Sequence, residues 1–383
     1  MNVMRAIRPE TGLRPQAIFK VWDLPTRLFH WSTLVAVSIG VLTGFFGPEW
    51  LLGLHVWSGY GLGGLIVFRL AWAFFGGEYS RLDRLDVSPR AVVGHLRGLM
   101  VGRGTHRIGH NPAGSLMILA LVGMLTAILV TGLVTLGGQE KQGVLAGILP
   151  YSIGHAAREI HEILTFALLG MVAIHVLAVV ADSLWGPANL VAAMITGCKR
   201  LAGQQEPLPM RRARPLAAAT ALTVIGCIVA AGAGALTMLP PLGVHALAAN
   251  PVYEAECGDC HYDFHPSLLP AASWATMMSG LDDHFGENAE LKDSTRDGIA
   301  AWLTANAAEN WDTEAANSFR RLSADAPMRI TATPYWKRRH RGIADAVFAG
   351  KAVGGKLNCV ACHRDARSGR FNDQSIDIPE EKI

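Results

Sequence analysis

The chain has 383 residues, of which 50% are hydrophobic and 17% are charged, and its formal net charge is +3. Soluble proteins of this length are rarely so apolar, so the composition argues against a wholly soluble protein. The apolar residues are concentrated in the first two thirds of the chain. This distribution predicts a membrane part followed by a soluble part.

Five apolar runs are long enough to cross a bilayer, which takes about 20 residues each. Leu, Val, Ala and Gly dominate these runs, and charged residues are few. The runs lie near residues 28–47, 51–75, 114–136, 160–183 and 216–238. The sequence therefore predicts five membrane-spanning helices.

The positions of Lys and Arg predict how these helices cross the membrane. Only Lys141 and Arg158 lie between the third and fourth runs. Cytoplasmic segments are enriched in Lys and Arg, so the N-terminus is predicted to be cytoplasmic and the segment after the fifth run to lie outside. The sixteen basic residues on the predicted cytoplasmic side are Arg5, Arg8, Arg14, Lys20, Arg27, Arg81, Arg84, Arg90, Arg97, Arg103, Arg107, Lys199, Arg200, Arg211, Arg212 and Arg214.

Four histidines lie in the predicted membrane helices, where ionisable residues are functional candidates because they are costly to bury. His30 and His55 begin helices that run in opposite directions, so they lie near opposite membrane faces. His161 and His175 are 14 residues apart, which is about four helical turns and about 21 Å, so both lie on one helix face at two depths. Depth therefore pairs His30 with His175 and His55 with His161, and each pair can hold one haem b between two imidazoles.

Three segments of the membrane part resemble the bacterial cytochrome b561 family, which includes the b-type cytochrome subunits of nickel–iron hydrogenases. They are VWDLPTRLFHW (21–31), the helix start at His55, and HEILTFALLGMVAIH (161–175). The resemblance covers about residues 18–200 and implies a four-helix membrane bundle with two haems b, held by the same four histidines. It also implies electron exchange with the quinone pool, although no quinone-binding residue can be assigned from the sequence.

The soluble part contains two Cys-x-x-Cys-His motifs, at residues 257–261 and 359–363. Such a motif attaches a haem c through two thioethers and supplies one axial histidine. The alternative is a zinc site or a disulfide framework, but zinc pairs usually lack a His directly after the second Cys. Haem c attachment in bacteria takes place in the periplasm, which agrees with the predicted orientation. The predicted thioether cysteines are Cys257, Cys260, Cys359 and Cys362, and the predicted axial histidines are His261 and His363.

Each haem c needs a further axial ligand, for which the sequence offers Met277, Met278, Met328, His265, His284 and His340. The segments SWATMMSGLDDHFGENAEL and RITATPYWKRRHRGI, together with the two motifs, resemble the bacterial dihaem cytochrome c family over about residues 250–380. This resemblance implies two His ligands for each haem and places the additional ligands at His284 and His340, with His265 as a competitor. Nearness in sequence pairs His261 with His284 and His363 with His340, and a crossed pairing stays open.

Together these features predict an all-α protein in three parts: a cytochrome b561-like membrane domain (1–205), a fifth membrane helix with a linker (206–249), and a small, mainly helical periplasmic dihaem c domain (250–383). The predicted function is electron transfer across the bacterial inner membrane, between the quinone pool and a soluble periplasmic haem protein or other redox protein.

The cofactors implied are two haems b and two haems c, with quinone as electron donor or acceptor. Membrane lipid is an expected partner, nucleic acid is not, and a homo-oligomer stays open. No catalytic residue is assigned, and activity as a quinol:cytochrome c-type oxidoreductase stays open. The alternatives are a superoxide-oxidising enzyme of the b561 type and a membrane-anchor electron-transfer subunit of a larger dehydrogenase.

Overall fold

The structure is a computed structural model that describes residues 16–100, 108–185, 188–202, 211–320 and 328–379. These residues are mainly helical, as the sequence predicts, with a two-stranded antiparallel ribbon that it did not predict. The basic residues Arg5, Arg8, Arg14, Arg103 and Arg107, used above to predict the orientation, lie outside the described residues.

The strands are β1 (Gln16–Lys20) and β2 (Cys198–Ala202). In chain order, the helices are α1 (Leu24–Phe45), α2 (Leu52–Phe75), α3 (Pro89–Met100), α4 (Pro112–Gly138), α5 (Tyr151–Trp185), α6 (Leu190–Thr196), α7 (Pro215–Thr237), α8 (Pro251–Cys257), α9 (Ala271–Ser279), α10 (Asp293–Ala305), α11 (Glu314–Phe319), α12 (Pro334–Arg339) and α13 (Asp345–Ala349).

The chain divides into two compact units. Unit 1 comprises residues 1–46, 54–132 and 159–232, and unit 2 comprises residues 47–53, 133–158 and 233–383. The domain boundaries predicted at residues 205 and 249 stay a prediction.

Five helices are long and apolar enough to cross a membrane, namely α1, α2, α4, α5 and α7. They correspond to the five predicted runs, although α5 begins at Tyr151 rather than near residue 160. Large apolar side chains such as Val35, Phe74 and Leu177 are exposed on these helices. An exposed apolar surface of this kind is stable where lipid rather than water covers it.

Within unit 1, α1 and α2 pack as antiparallel neighbours. Gly40 of α1 lies opposite Ser58 of α2, and Gly44 lies opposite His55. Residue numbers therefore increase along α1 in the direction in which they decrease along α2. The buried core of this unit joins three of the long helices through Leu62 and Ile66 of α2, Leu125 of α4 and Leu168 of α5.

The β1–β2 ribbon joins the segment before α1 to the segment after α6. Lys20 pairs with Cys198, and the backbone N–H groups of Val21 and Trp22 both donate to the carbonyl of Gly197, at 2.8 and 3.0 Å. Gly197 ends α6 with φ of +85°, a left-handed conformation that favours glycine. The ribbon therefore fixes the direction in which the chain enters α1. His30 lies seven residues after Asp23, the residue that precedes this helix.

Unit 2 has its own hydrophobic core, built mainly from helices α9 and α10. Leu269, Trp274, Ile299 and Leu303 are almost fully buried there, and the Trp274 indole N–H donates to the carbonyl of Pro266 at 2.7 Å. Burying an indole is favourable when its N–H finds such a partner.

A buried ion pair also lies within unit 2. Asp312 accepts hydrogen bonds from the Lys141 ammonium at 2.6 Å, from the Tyr151 backbone N–H at 2.7 Å and from the Asn317 amide at 3.1 Å. The Lys141 side chain is only 2% exposed. Asp312 therefore holds the α4–α5 segment and the start of α5 against the C-terminal part of the chain.

Replacing Asp312 by Asn is expected to destabilise unit 2, because it leaves the Lys141 charge buried without a counter-charge. Removing one partner of a fully buried pair costs about 3–5 kcal/mol, and the partial exposure of Asp312 reduces this to about 2 kcal/mol. Thermal unfolding of the purified protein in detergent measures the effect, with the exposed Asp297→Asn as the matched control. Equal unfolding midpoints for the two variants would contradict the prediction.

Candidate functional site

The four membrane histidines form two ring pairs in unit 1. The rings of His30 and His175 have centroids 6.5 Å apart, and those of His55 and His161 have centroids 6.2 Å apart. Two imidazoles that bind one metal ion from opposite sides, each about 2 Å from it, have ring centres about 6 Å apart. The pairs that the sequence predicts from depth are thus brought to the spacing that an iron between them requires.

An apolar layer separates the two pairs. His161, Leu168 and His175 recur every seven residues along α5, so they lie on one face of the helix. Leu168 is 3% exposed and packs in the buried core with residues of α2 and α4. The helix therefore presents two imidazoles to the bundle interior with a close-packed hydrocarbon layer between them.

The His55 ring is held by α1. Its Nδ1 lies 3.1 Å from the carbonyl oxygen of Gly40 and 3.1 Å from the hydroxyl of Thr43. A Cβ on Gly44 would lie 3.3 Å from His55 Cε1, so the glycine admits the ring. A carbonyl can only accept, so Nδ1 carries the proton and Nε2 keeps the lone pair that a metal needs.

The His161 ring is held in the same way by α4. Its Nδ1 lies 3.0 Å from the carbonyl oxygen of Ile128 and 3.0 Å from the hydroxyl of Thr131, and a Cβ on Gly132 would lie 3.2 Å from Cε1. Both rings of this pair are therefore set by a carbonyl, a Thr hydroxyl three residues later and a Gly one residue after that. Sequence reasoning did not find these supports, although the Thr-Gly dipeptide that α1 and α4 share was a visible signal.

One glycine beside His55 leaves open space on α2. Gly59, one helical turn after His55, has no heavy atom within 4 Å of where its Cβ would be. Gly63, by contrast, packs against the Leu129 side chain, which lies 3.1 Å from the Gly63 Cβ position. Of these two glycines, Gly63 makes a tight helix contact and Gly59 leaves room beside the His55 ring.

The Cys-x-x-Cys-His histidines also form two ring pairs, both in unit 2. The centroids of His261 and His284 are 6.1 Å apart, and those of His340 and His363 are 6.0 Å apart. These are the pairs that nearness in sequence predicts. Met278 is instead buried in the hydrophobic core, and Met277 packs against that core.

His265, the competing candidate, lies elsewhere. Its ring is 3% exposed and packs edge-on against Trp311 with centroids 4.6 Å apart, and its Nδ1 lies 2.8 Å from the Ser267 hydroxyl. Burial lowers the pKa of His265 to about 4, so this histidine is neutral at physiological pH.

Hydrogen bonds orient two of the paired histidines of unit 2, and burial lowers the pKa of the other two. Nδ1 of His261 lies 2.8 Å from the Tyr262 carbonyl, and Nδ1 of His340 lies 2.9 Å from the Trp336 carbonyl, so Nε2 is the free nitrogen in both. Burial lowers the pKa of His363 to about 4, and burial followed by the neighbouring His261 lowers the pKa of His284. Neutral imidazoles are the form that binds a metal.

Local structure places the first motif. Asn250 caps α8 by accepting from the Tyr253 N–H at 3.1 Å, and α8 ends at Cys257, so the motif begins where the helix stops. None of the four motif cysteines forms a disulfide. Among the described residues, no group of three or more His, Cys, Asp or Glu side chains is arranged to bind a metal ion directly.

The sequence around the two motifs has opposite charge. Residues 250–300 contain ten acidic and two basic residues, whereas residues 328–370 contain ten basic and two acidic ones. The acidic residues near the first pair are exposed, among them Glu254, Glu256, Asp259, Asp282 and Asp283. The surroundings of the His261/His284 pair are therefore negative, and the chain around the His340/His363 pair is basic.

Two protein families match separate parts of the chain. Prokaryotic cytochrome b561 matches residues 21–197, and dihaem cytochrome c matches residues 253–371.

Curated relatives match the N-terminal part. A probable Ni/Fe-hydrogenase B-type cytochrome subunit of Cupriavidus necator is 24% identical over 212 residues, which is 46% of this chain and 85% of the relative. A protein of the same name from Rhodobacter capsulatus is 21% identical over 217 residues, which is 49% of this chain and 83% of the relative.

Solved structures match the C-terminal part. A dihaem cytochrome c from Rhodobacter sphaeroides is 36% identical and is covered over its full length by 33% of this chain, with a TM-score of 0.29. A dihaem cytochrome c from Shewanella baltica is 29% identical, with 93% of it covered by 34% of this chain and a TM-score of 0.27.

The sites and the matches together define an integral membrane b-type cytochrome that is joined to a dihaem c-type cytochrome. The chain belongs to the dihaem cytochrome c family in its C-terminal part and has a prokaryotic cytochrome b561 domain in its N-terminal part. Cytochrome b561 domains bind two haems b and dihaem cytochromes c bind two haems c, so four haems are its cofactors, as the sequence predicts.

Proposed function

We propose that this protein transfers electrons between the membrane quinone pool and a soluble periplasmic redox protein, through two haems b and two haems c. The observation that carries the proposal is the recurrence of one geometry. Four His–His pairs have ring centroids between 6.0 and 6.5 Å apart, which suits an iron with two imidazole ligands. A protein with four such sites is built for redox chemistry rather than for substrate binding.

In this proposal His30 and His175 hold one haem b, and His55 and His161 hold the other. His261 with His284 and His363 with His340 hold the haems c, which are attached through Cys257 and Cys260 and through Cys359 and Cys362. The haems supply the one-electron chemistry, while the protein sets their spacing, orientation and surroundings.

The chain's own groups have defined tasks in this scheme. The Gly40 and Ile128 carbonyls hold the protons of His55 and His161 on Nδ1, which would leave Nε2 free to bind a haem iron. Leu168 packs with Leu62, Ile66 and Leu125, so the layer between the two membrane pairs is apolar. Fixed ligands reduce the rearrangement that must accompany each change of oxidation state.

The direction across the membrane rests on the Lys and Arg distribution and on the chemistry of haem c attachment. Both favour a cytoplasmic N-terminus and a periplasmic C-terminal part, in a bacterial inner membrane. Electrons would then pass from the His30/His175 site to the His55/His161 site and on to the c-type sites.

The partner in the periplasm is proposed to be a protein with a basic surface around its own redox centre. The exposed carboxylates near the His261/His284 pair support this, because opposite charges steer two redox proteins into contact.

Stopped-flow reduction of the purified protein by a short-chain quinol tests the function. We expect the haems b to be reduced first and the haems c to follow, and His30→Ala to slow reduction of the haems c by quinol at least tenfold. His155→Ala is the matched control, because His155 lies on α5 but stacks on Tyr151. Failure of quinol to reduce any haem, or an unchanged rate in His30→Ala, would refute the proposal.

Gly132→Leu is expected to displace the His161 ring, because a Cβ there would already lie 3.2 Å from Cε1. The haem b content should fall from two to about one per chain, while the haem c content stays at two. Pyridine haemochrome analysis measures both.

Gly123→Leu is the control for this variant, since Gly123 lies nine residues earlier on α4, on the opposite helix face, with nothing within 4 Å of its Cβ position. Equal haem b contents in the two variants would show that Gly132 does not support a haem ligand.

A second function is favoured by the names of the curated relatives, which are hydrogenase subunits. In that case the chain would serve as the membrane electron-transfer subunit of a larger dehydrogenase. Purification of the tagged chain from native membranes separates the two functions, because a dehydrogenase subunit would retain a catalytic subunit in stoichiometric amount.

A further inference from the structure

Unit 2 contains a group of carboxyls, ranging from buried to exposed, that the proposed haem sites do not use. It gathers side chains from four separate parts of the unit: Glu49 between α1 and α2, Glu140 between α4 and α5, Glu314 of α11, and Asp373 near the end of the described chain. We refer to these four residues, with Arg339, as the carboxyl cluster.

Arg339 lies at the centre of the carboxyl cluster. Its guanidinium makes ion pairs with Asp373 at 2.6 Å and with Glu49 at 2.8 Å. The Gln139 amide donates to Glu140 at 3.3 Å and to Glu314 at 3.3 Å, which joins the remaining carboxyls to the same group. The two sets of contacts interact through charge, because Arg339 acts electrostatically on Glu140 and Glu314 acts on Arg339, so a change of charge at one member affects the others.

The cluster has more acidic groups than it has cations to balance them. Four carboxyls face Arg339, with Arg158 of α5 as the other cation and Tyr335 of α12 as a neutral neighbour. Glu140 is only 8% exposed, and the Asp373 side chain is 16% exposed. Burying more negative than positive charge is costly, and a carboxyl in that position binds a proton instead.

The pKa values of Glu140 and Asp373 are raised accordingly. Burial, followed by the charges of Asp373 and Glu314, raises the pKa of Glu140 to about 8. Burial also raises the pKa of Asp373 to about 7, against the opposing effect of Arg339. Both carboxyls therefore bind a proton more tightly than ordinary carboxyls, which titrate near pH 4.

The cluster is linked to one haem site by sequence and by charge. Arg339 immediately precedes His340, and its positive charge acts on both His340 and His363. The His340 ring is fixed in turn, through Nδ1, to the Trp336 carbonyl of the same helix. A charge that changes at the iron between these rings must therefore change the field at the cluster.

We propose that Glu140 and Asp373 form a proton-binding site that takes up a proton from water when the haem held by His340 and His363 accepts an electron. The inference rests on the ligands given under the proposed function. One electron comes from the quinol pool and reduces the iron, and one proton passes from solvent to a carboxylate oxygen, so the charge added at the iron is offset within the unit.

The expected effect follows from linkage. A unit charge roughly 10 Å away, in a medium of effective dielectric constant about 20, changes a proton-binding constant by about tenfold. Reduction adds a negative charge and so raises the proton affinity of the cluster. The midpoint potential of this haem therefore falls as pH rises through about 6 to 9, by about 59 mV in total for a tenfold change in a one-electron couple.

Optical redox titration of the purified full-length protein, with soluble mediators and at pH values from about 5.5 to about 9.5, tests the proposal. One of the two haems c should show the fall in potential. The double variant Glu140→Gln with Asp373→Asn should lose more than half of that fall. Asp345→Asn is the matched control, because Asp345 is an exposed carboxylate of the same unit, 86% exposed and paired with Lys356, and it should behave as the wild type.

A second measurement distinguishes loss of the proton-binding site from loss of folding in the double variant. Electrochemical reduction of the unbuffered protein, with a pH-indicator dye, should show proton uptake by the wild type near pH 7.5 that the double variant lacks, while the haem c content stays at two. A potential that does not change between pH 6 and 9, or an unchanged fall in the double variant, would overturn the proposal.

Failure of this inference can be told apart from failure of the proposed function. Soluble mediators replace quinol, so the titration does not depend on the electron donor. A normal spectrum of a haem with two His ligands and a pH-independent potential would reject only the proton site. Retention of that spectrum in His340→Ala would reject the ligand assignment itself.

Discussion

The proposed function depends on one constraint: two imidazoles must face each other at a distance that would let one iron bind between them. Each of the four pairs satisfies it with ring centroids 6.0 to 6.5 Å apart. In the membrane pairs the constraint is met by helices. Helix α5 supplies one histidine to each pair, α1 supplies the partner of His175, and α2 supplies the partner of His161. In unit 2 it is met by loops and short helix ends, where the proposed covalent attachment through cysteines would reduce the need for a rigid scaffold.

The helices around the membrane pairs are specialised for holding rings rather than for packing alone. Thr is a modest helix former, and Gly is a poor one. In α1 and α4 both residues occur together, where Thr43 and Thr131 reach Nδ1 of a histidine and the glycine beside each admits the ring. The local loss of helix propensity is offset by a fixed ligand orientation, which a low-dielectric site makes more valuable.

Much of this could be predicted from the sequence, for a physical reason. Helical periodicity links His161 to His175 without knowledge of any other contact, and alternating helix direction then gives their partners His55 and His30. The Cys-x-x-Cys-His motifs are equally local, because the chemistry of attachment acts within five residues. Five membrane helices follow from composition and length.

The rest depends on which elements are neighbours in space. The support that Ile128 gives to His161 requires knowing that α4 packs beside α5. The burial of His265 against Trp311 could not be told from its position four residues after a motif histidine. The pairing of Arg339 with Glu49 joins residues 290 positions apart, and no pattern in the sequence announces it.

Electron paramagnetic resonance of the oxidised, purified protein is the most direct measurement of the ligand geometry, since it reports the ligands of each iron in place. Four low-spin haems per chain, each with the signature of two imidazole ligands, are what the four ring pairs require. A high-spin haem, or one with the signature of a methionine ligand, would contradict the account.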